Sequence, residues 1–460
     1  MRKRFGVGVA SAWVLALACG CARSTAPQPS EEPRIENAAE DAAVEAEIEA
    51  GVARIDVDGD DEAQELGTGV VPSSLKLVKV GTAPWALTRI CDLSSFGGSL
   101  YAAHAVAPLG IDGATITRYA RVPDIDGGVK VNPFHVAFDW NRYGEPSKGG
   151  AAGQGFLRVH AIDGRLFVPD ADPPYAGFGY VDQGTEGYVY VSDAAGGFAK
   201  AIGEHRKPPL PPSLDGGAGA AVLPRAYHVL DVIKYRGAIY ASTGSVPPKE
   251  HAWTGPSPGA LHRANATLSR LEYVVGYPAD ATSDVWRLTF LVRYRDRLYA
   301  GIQEYSPREP NDYVVFEPPK DETLITAEHL RAVRVTDHGG AQTLRWYADR
   351  KDGTLYWIAS DRASGLVTLR VTHDGDAWDD VRLPAAAGQP TDVVRWRDAL
   401  VVLAEHGLYR IDGAAPVELA RWDDRATFAV SDFFCAAPLA VHDDELYAGS
   451  QKGGTLYRFE

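Results

Sequence analysis

The strongest constraint on the fold is a short motif that the chain repeats seven times. Each copy has two turn-forming residues, one variable residue, Leu or Ile, and then an aromatic residue or Val. The copies are residues 97–101, 163–167, 236–240, 295–299, 352–356, 397–401 and 443–447. Their Leu or Ile positions lie from 45 residues apart (355 and 400) to 73 apart (166 and 239). Self-similarity on this scale indicates a repeated supersecondary unit.

Each copy predicts a β-hairpin, because Asp-Gly and Gly-Gly pairs favour two-residue turns between antiparallel strands. An apolar strand precedes the turn, as in 289–294, and a strand that ends in small residues follows it, as in 447–449. Many units show a third strand, such as 188–191, and some show a fourth, such as 271–275. The repeating unit is therefore four antiparallel strands.

Seven such units predict an all-β protein, a seven-bladed β-propeller of four-stranded antiparallel blades over residues 66–460. The chain resembles the propeller architecture in general over roughly residues 75–460. WD and kelch signatures are absent, so no propeller family is identified. A pair of β-sandwiches is the alternative, and the regular hairpin unit disfavours it.

The two ends of the repeat region predict how the ring closes. The chain stops in what reads as the third strand of the last blade, at 456–460. Residues 75–80 precede the first blade and are predicted to supply the missing outer strand, which pairs an open sheet edge. Closure places blades one and seven side by side, with Cys91 and Cys435 on their inner strands. A Cys91–Cys435 disulfide is therefore predicted, with two buried free thiols as the alternative.

The N-terminus predicts export. Three basic residues at 2–4 precede an apolar stretch at 5–18 that is too short to span a bilayer, so residues 1–18 read as a signal peptide. Small residues before a Cys resemble the lipobox of bacterial lipoproteins. The resemblance implies lipidation of Cys19, or of Cys21, with simple secretion as the alternative.

The same resemblance bears on location. The residues after the two candidate cysteines are Gly20 and Ala22, and neither is the Asp that signals inner-membrane retention in enteric bacteria. The expectation is therefore an exported protein anchored in a membrane by lipid, at the outer membrane or cell surface. A periplasmic location is the alternative.

Residues 19–65 are predicted to be a flexible acidic linker behind the lipidated Cys. Residues 31–65 hold 14 acidic and two basic residues, so this segment carries most of the formal charge of −15. Residues 56–61 resemble the start of a calcium loop, but the twelfth position is Gly67 rather than Glu. No cofactor is predicted, and whether the protein binds calcium is left open. No basic patch suggests nucleic acid.

Candidate ligand-binding residues lie in two sets of loops that share one face of a propeller, before each inner strand and after each second strand. They are His104, Asp170, Asp172, Tyr227, His228, Arg287, Gln303, Glu304, Asp361 and His406. Long Gly- and Pro-rich insertions in blades one to three point to the same face. Whether they line a groove or cover the blades is left open, and the metal set is unknown.

The sequence predicts a binding protein that holds a protein, peptide or glycan on the loop face of blades one to four. No catalytic residue is assigned, because no Walker loop, GxSxG, HExxH or CxxCH motif occurs. The first alternative is a polysaccharide-directed hydrolase or lyase that uses carboxylates at the central funnel. The second is a structural component of the envelope.

Overall fold

The structure is a computed structural model of an all-β protein. It describes residues 69–84, 87–105, 114–120, 133–139, 155–171, 186–199, 210–213, 215–224, 226, 228–244, 258–279, 286–304, 311–335, 340–413, 415–432 and 434–460. The predicted signal peptide, Cys19, Cys21 and the acidic linker lie outside these residues. Within them, the helical elements are the 3₁₀ turns Ala327–His329 and Ala385–Ala387, and neither is long enough to cross a membrane.

Seven four-stranded antiparallel sheets form the blades of a propeller, which confirms the predicted fold. The first strand is β1 (Leu77–Thr82), and the blades follow it in chain order. Blade 1 contains β2 (Ile90–Phe96), β3 (Ser99–His104), β4 (Thr115–Tyr119) and β5 (Phe134–Asp139). Blade 2 contains β6 (His160–Ile162), β7 (Arg165–Pro169), β8 (Glu186–Val191) and β9 (Gly219–Pro224). Blade 3 contains β10 (Val229–Tyr235), β11 (Ala238–Thr243), β12 (Gly259–Ala264) and β13 (Leu271–Tyr277).

The remaining blades have the same order of strands. Blade 4 contains β14 (Trp286–Tyr294), β15 (Arg297–Glu304), β16 (Tyr313–Phe316) and β17 (Leu330–Val333). Blade 5 contains β18 (Ala341–Asp349), β19 (Thr354–Asp361), β20 (Val367–Thr372) and β21 (Asp379–Asp380). Blade 6 contains β22 (Pro390–Trp396), β23 (Ala399–Ala404), β24 (Gly407–Arg410) and β25 (Val417–Arg421). A short hairpin of β26 (Val430–Asp432) and β27 (Cys435–Ala436) leads to blade 7, which contains β28 (Leu439–His442), β29 (Glu445–Gly449) and β30 (Thr455–Phe459).

The repeated motif forms the turn between the inner and second strands of every blade. In blades 1, 2, 3, 4 and 7 both turn residues have positive φ, as at Gly97 (56°) and Gly98 (70°). Two positive φ values define the type I′ turn, whose twist matches that of the flanking strands. Blade 5 differs, because Asp349 pairs with Thr354 and leaves a four-residue turn.

The ring closes as the sequence predicts. Strand β1 pairs antiparallel with β30, with Leu77 opposite Phe459 and Thr82 opposite Thr455. The first strand of the chain is thus the outer strand of the last blade. The observed strand lies two residues further along than the predicted segment 75–80.

Cys91 and Cys435 form a disulfide, as predicted, with a Cα–Cα distance of 4.8 Å. Cys91 lies on β2, the inner strand of blade 1. Cys435 lies on β27, just before the inner strand of blade 7 rather than on it. Both side chains are fully buried. The bond therefore links blade 1 to the segment that enters blade 7, beside the closure.

The hydrophobic core is divided into seven wedges, one between each pair of neighbouring blades. Between blades 1 and 2, for example, Tyr101 and Ala103 pack with Leu166 and Val168. Between blades 7 and 1, Tyr447 packs in the same way with Leu100. The other wedges are built alike. Apolar burial thus holds the blades side by side and leaves a channel on the axis.

Replacing both cysteines, as Cys91→Ala with Cys435→Ala, should lower the free energy of unfolding by about 2–5 kcal/mol, because it frees a closed loop whose ends are 344 residues apart. Urea denaturation under oxidising conditions measures the difference. Added reductant should destabilise the natural protein and leave the double variant unchanged. Equal unfolding free energies for the two proteins would show that the disulfide does not stabilise the closure.

Candidate functional site

A layer of charged side chains crosses the channel at one level. It contains Asp92 of blade 1, Arg158 of blade 2, Asp231 of blade 3, Arg345 of blade 5 and Asp392 of blade 6. Four of the five are less than a tenth exposed, and Asp92 is only slightly more open. Such burial requires each charge to be paired or hydrogen-bonded.

Recurring β-bulges place this layer. The register between inner and second strands shifts directly before Asp92, Asp231, Arg345 and Asp392, and in a fifth inner strand, β14, it shifts between Leu288 and Leu291. A bulge adds one residue to a strand and re-aims the side chain next to it. The residue after each of the first four bulges lines the channel.

Three aspartates connect each of their blades to the next one. Asp92 Oδ2 accepts the backbone N–H of Val159 at 3.0 Å, from blade 1 to blade 2. Asp231 Oδ2 accepts the N–H of Leu291 at 2.7 Å, from blade 3 to blade 4. Asp392 Oδ2 likewise accepts the N–H of Leu439 at 2.7 Å, from blade 6 to blade 7. These charge-assisted bonds fix neighbouring inner strands relative to one another.

The two arginines span the channel between blades that are not neighbours. Arg158 donates to the carbonyl of Leu344 at 3.0 Å, and its guanidinium lies 3.6 Å from the ring centroid of Phe290. Arg345 donates to Asp92 Oδ1 at 3.0 Å and to the carbonyl of Cys91. Burial and the neighbouring Arg345 lower the pKa of Arg158 to about 10, so it remains a cation at neutral pH.

His160 sits beside this layer and faces the channel. Its Nε2 lies 2.6 Å from Asp231 Oδ1, and its side chain is 33% exposed. Burial opposes protonation of the ring, but the charge and hydrogen bond of Asp231 outweigh it and raise the pKa of His160. A partly exposed imidazole oriented by a buried carboxylate is able to donate or accept a proton toward the channel.

The channel is a funnel that opens at one end. Its volume is about 720 Å³, and its rim includes Gly97, Gly98 and Gly164 of the hairpin turns. Toward the other end, an apolar plug closes the channel. It is formed by Cys91, Leu157, Leu230 and Phe290, and the first three directly precede Asp92, Arg158 and Asp231 in the sequence. The funnel therefore opens on the face made by the hairpin turns, here called the turn face.

On the opposite face, the loop face, three predicted residues converge. The Arg287 guanidinium donates to Gln303 Oε1 at 2.6 Å and lies 3.1 Å from His228 Nε2. It also stands over the ring of Phe434, 5.3 Å from the centroid. His228 Nδ1 lies 3.0 Å from the carbonyl of Ala171, an acceptor, so Nδ1 carries the proton and Nε2 accepts from Arg287.

His228, Arg287 and Phe434 help to line a hollow of about 30 Å³ beneath the loop face. Its walls come from blades 1 to 4 and from the hairpin before blade 7: Ala105, Gly155, Leu157, Ala171, His228, Leu230, Arg287 and Phe434. The volume is near that of one water molecule. Arg287 is partly exposed there, so its planar cation is accessible beside an aromatic ring.

Other predicted residues serve the blades. His104 is fully buried, with Nδ1 3.0 Å from the carbonyl of Arg89 and Nε2 2.7 Å from Thr117 Oγ1. Asp170 is also buried and accepts a hydrogen bond from the Tyr190 hydroxyl at 3.4 Å. Burial, with the Asp170 carboxylate, raises the pKa of Tyr190 well above its usual value.

Asp361 and His406 lie apart from the loop-face hollow. Asp361 accepts the backbone N–H and the hydroxyl of Ser364, both at 2.7 Å, and so shapes its own loop. His406 Nδ1 lies 3.4 Å from the carbonyl of Trp422. Asp172 and Tyr227 lie outside the described residues, as does the side chain of Glu304, the last residue of β15.

The charged layer was missed by the sequence prediction, although the repeat contains its signal. Asp92, Arg158, Asp231 and Asp392 each stand eight residues before the Leu or Ile of their copy of the motif. Arg345 stands ten before its Leu because the turn of blade 5 has four residues rather than two. A fixed offset of charged residues in apolar strands was the available indication.

A calcium site stays a prediction. The acidic segment 56–61 lies outside the described residues. Among the residues that are described, no group of three or more His, Cys, Asp or Glu side chains is placed to hold a metal ion.

Comparison with protein-family models finds no match, and comparison with curated proteins finds none. Solved structures do resemble the chain. Virginiamycin B lyase from Staphylococcus aureus is 8% identical with a TM-score of 0.47, over 84% of this chain and 99% of that one. Prolyl oligopeptidase B from Galerina marginata is 12% identical with a TM-score of 0.45, over 79% and 48%. A periplasmic gluconolactonase from Pseudomonas aeruginosa is 15% identical with a TM-score of 0.40, over 78% and 94%. Likenesses at this level assign no activity to this chain.

His104 should make the domain sensitive to acid. Burial lowers the pKa of His104 to about 4, against about 6.5 for an unfolded histidine. The unfolded chain therefore binds more protons between these values, and the unfolding free energy falls as pH drops from 6.5 to 4, by about 3 kcal/mol from this group. The measurement is urea unfolding across that range.

His104→Asn, which retains an amide donor near the Nδ1 position, should remove the His104 contribution and so reduce this slope, while the buried His262, whose pKa burial also lowers to about 4, keeps its own. The matched control is His406→Asn, which replaces a partly exposed histidine and should leave the slope unchanged. The same slope in His104→Asn and in the natural protein would contradict the assignment.

Proposed function

We propose that the protein is an exported, lipid-anchored binding protein that holds a peptide, protein or glycan of the cell envelope on the loop face of blades 1 to 4. The signal-like segment 1–18, Cys19 or Cys21, and the acidic linker to residue 65 support the anchor and the tether. The membrane is thus one partner through the lipid, and the outer membrane or cell surface is the proposed location.

The observation that carries the proposal is the convergence of Arg287, His228 and Gln303. The three side chains meet at one point of the loop face. The Arg287 guanidinium lies 2.6 Å from Gln303 Oε1 and 3.1 Å from His228 Nε2. A planar guanidinium beside an aromatic ring recognises carboxylates and hydroxyl groups in a fixed direction. Because the blades hold these groups in advance, little ordering entropy is lost on binding.

The lengths of the connections between the second and third strands also favour a binding site on blades 1 to 4. In the sequence, residues 105–114, 170–185, 244–258 and 305–312 separate the second and third strands of blades 1 to 4. In blades 5 to 7 the corresponding joins are the shorter 362–366, 405–406 and 450–454. Longer connections on a rigid ring supply the variable surface that recognition needs.

A hydrolase or lyase directed at polysaccharides is a second candidate, favoured by the His160–Asp231 pair in the funnel. A carboxylate-oriented imidazole is the arrangement of a general base. Against it, Asp92, Asp231 and Asp392 each accept a backbone N–H from a neighbouring blade. Carboxylates engaged in this way hold the ring, so the binding role is the better supported one. A purely structural role is the third alternative.

Binding should depend on Arg287. The purified protein is titrated with uronic-acid oligosaccharides, muramyl peptides, matched neutral oligosaccharides, and calcium with and without EDTA. A ligand of the native state raises the unfolding midpoint, by about 2.7 kcal/mol of stability at one hundred times its Kd. Arg287→Ala should weaken binding of a carboxylate-bearing ligand at least about tenfold, because it removes charge-assisted hydrogen bonds.

Arg287→Lys tests geometry, since it retains the charge and loses the planar fork; an intermediate affinity is expected. The control is Arg425→Ala, which removes an exposed arginine paired with Glu405 outside the proposed site. Cleavage products in the same incubations would favour the hydrolase or lyase. No midpoint shift with any of these compounds, or equal affinities for Arg287→Ala and Arg425→Ala, would contradict the proposal.

A further inference from the structure

The funnel on the turn face is a preformed cavity of a size suited to a small molecule. Its volume of about 720 Å³ lies in the range of small-molecule sites. All seven blades contribute inner-strand residues to its wall, from Leu93 in blade 1 to Val441 in blade 7. The plug separates it from the loop-face hollow, so the two are different sites.

The charges at the base of the funnel nearly balance. Three carboxylates face two guanidinium groups, and His160 adds a positive charge when it is protonated. Arg345 Nη1 lies 3.0 Å from Asp92 Oδ1, and its Nε lies 3.6 Å from Asp392 Oδ2. An ionic ligand gains little from a floor whose charges cancel at such short range. A neutral ligand that both donates and accepts hydrogen bonds suits it better.

One polar side chain at this base is available to such a ligand. His160 is 33% exposed, and because its Nε2 is held by Asp231, the remaining edge of the ring faces the funnel. Arg345 is only 6% exposed, and its guanidinium is directed to Asp92 and Asp392, so it fixes the base of the funnel rather than contacting a ligand.

The wall also offers aromatic surface. Phe96, Trp346 and Tyr347 line the funnel, and the first two are partly exposed. Trp346 is held in place by its Nε1–H, which donates to the carbonyl of Phe290 at 3.0 Å. Rigid aromatic surface beside mixed donors and acceptors complements a molecule with C–H faces and hydroxyl edges.

We propose that the funnel is a second ligand site of this protein and that it takes a neutral mono- or disaccharide. A sugar of this class has hydroxyl groups that both donate and accept, no net charge, and apolar faces. His160 would hydrogen-bond to a hydroxyl group, and Phe96 and Trp346 would contact an apolar face of the sugar ring. The site does not depend on the proposed loop-face function.

The test is isothermal titration of the full-length protein with glucose, galactose, mannose, N-acetylglucosamine, maltose and cellobiose, each against its uronic-acid or amino-sugar counterpart where one exists. At least one neutral sugar should bind with one-to-one stoichiometry, and its charged counterpart about tenfold more weakly. His160→Gln should reduce the affinity about tenfold, since it removes one buried hydrogen-bond contact.

Arg425→Ala is the matched control, because it removes an exposed arginine outside the funnel and should leave sugar affinity unchanged. Arg287→Ala tests whether the sugar binds at the loop face instead. If His160→Gln does not fold, a crystal of the natural protein soaked with the bound sugar replaces it and should show the sugar against His160. No binding by any neutral sugar, tighter binding of the charged counterparts, a sugar located elsewhere, or loss of binding in Arg287→Ala but not in His160→Gln would overturn the proposal.

Discussion

The arrangement depends on carboxylates that reach from one blade to the next. The inner strand of a blade has one edge toward the channel, where its N–H groups lack a strand partner. Asp92, Asp231 and Asp392 each supply an acceptor to an N–H of the following blade. Because a bulge precedes each of them, the side chain turns out of its own sheet and toward the axis. The neighbouring inner strands are therefore fixed together, and the funnel has a set shape.

Stability and shape come from different parts of the ring. Seven apolar wedges remove most of the hydrophobic surface from water. The charged layer is costly to desolvate, and this cost offsets much of what its ion pairs contribute to stability. Arg158 and Arg345 tie together blades that share no wedge, across the axis. The same groups make the base of the funnel polar, so the residues that hold the ring also decide what the funnel accepts.

Local signals predicted the parts of the structure that local chemistry determines. Turn residues located all seven hairpins, and the unpaired last strand led to β1 and to the disulfide of Cys91. The bulges that aim the charged layer are not visible in the sequence, where the indication of that layer is the fixed offset of its residues, such as Asp92, from the repeated motif. His104 was predicted at the loop face but points into its own blade, because strand register decides which way a terminal residue faces. Arg287 and Gln303 lie on the loop face, and their contact depends on how the blades pack.

Native-state hydrogen exchange tests the central claim, that an aspartate after the bulge holds the next blade. In the natural protein the amide of Leu291 should exchange as slowly as those of the strand ladders. Asp231→Ala should increase the exchange rate of the Leu291 amide at least about tenfold, because this buried N–H loses its acceptor. The amide of Leu439, which donates to Asp392, should stay protected. Asp163→Ala, in an exposed turn, is the control. Unchanged exchange of Leu291 in Asp231→Ala would show that the wedges alone position the blades.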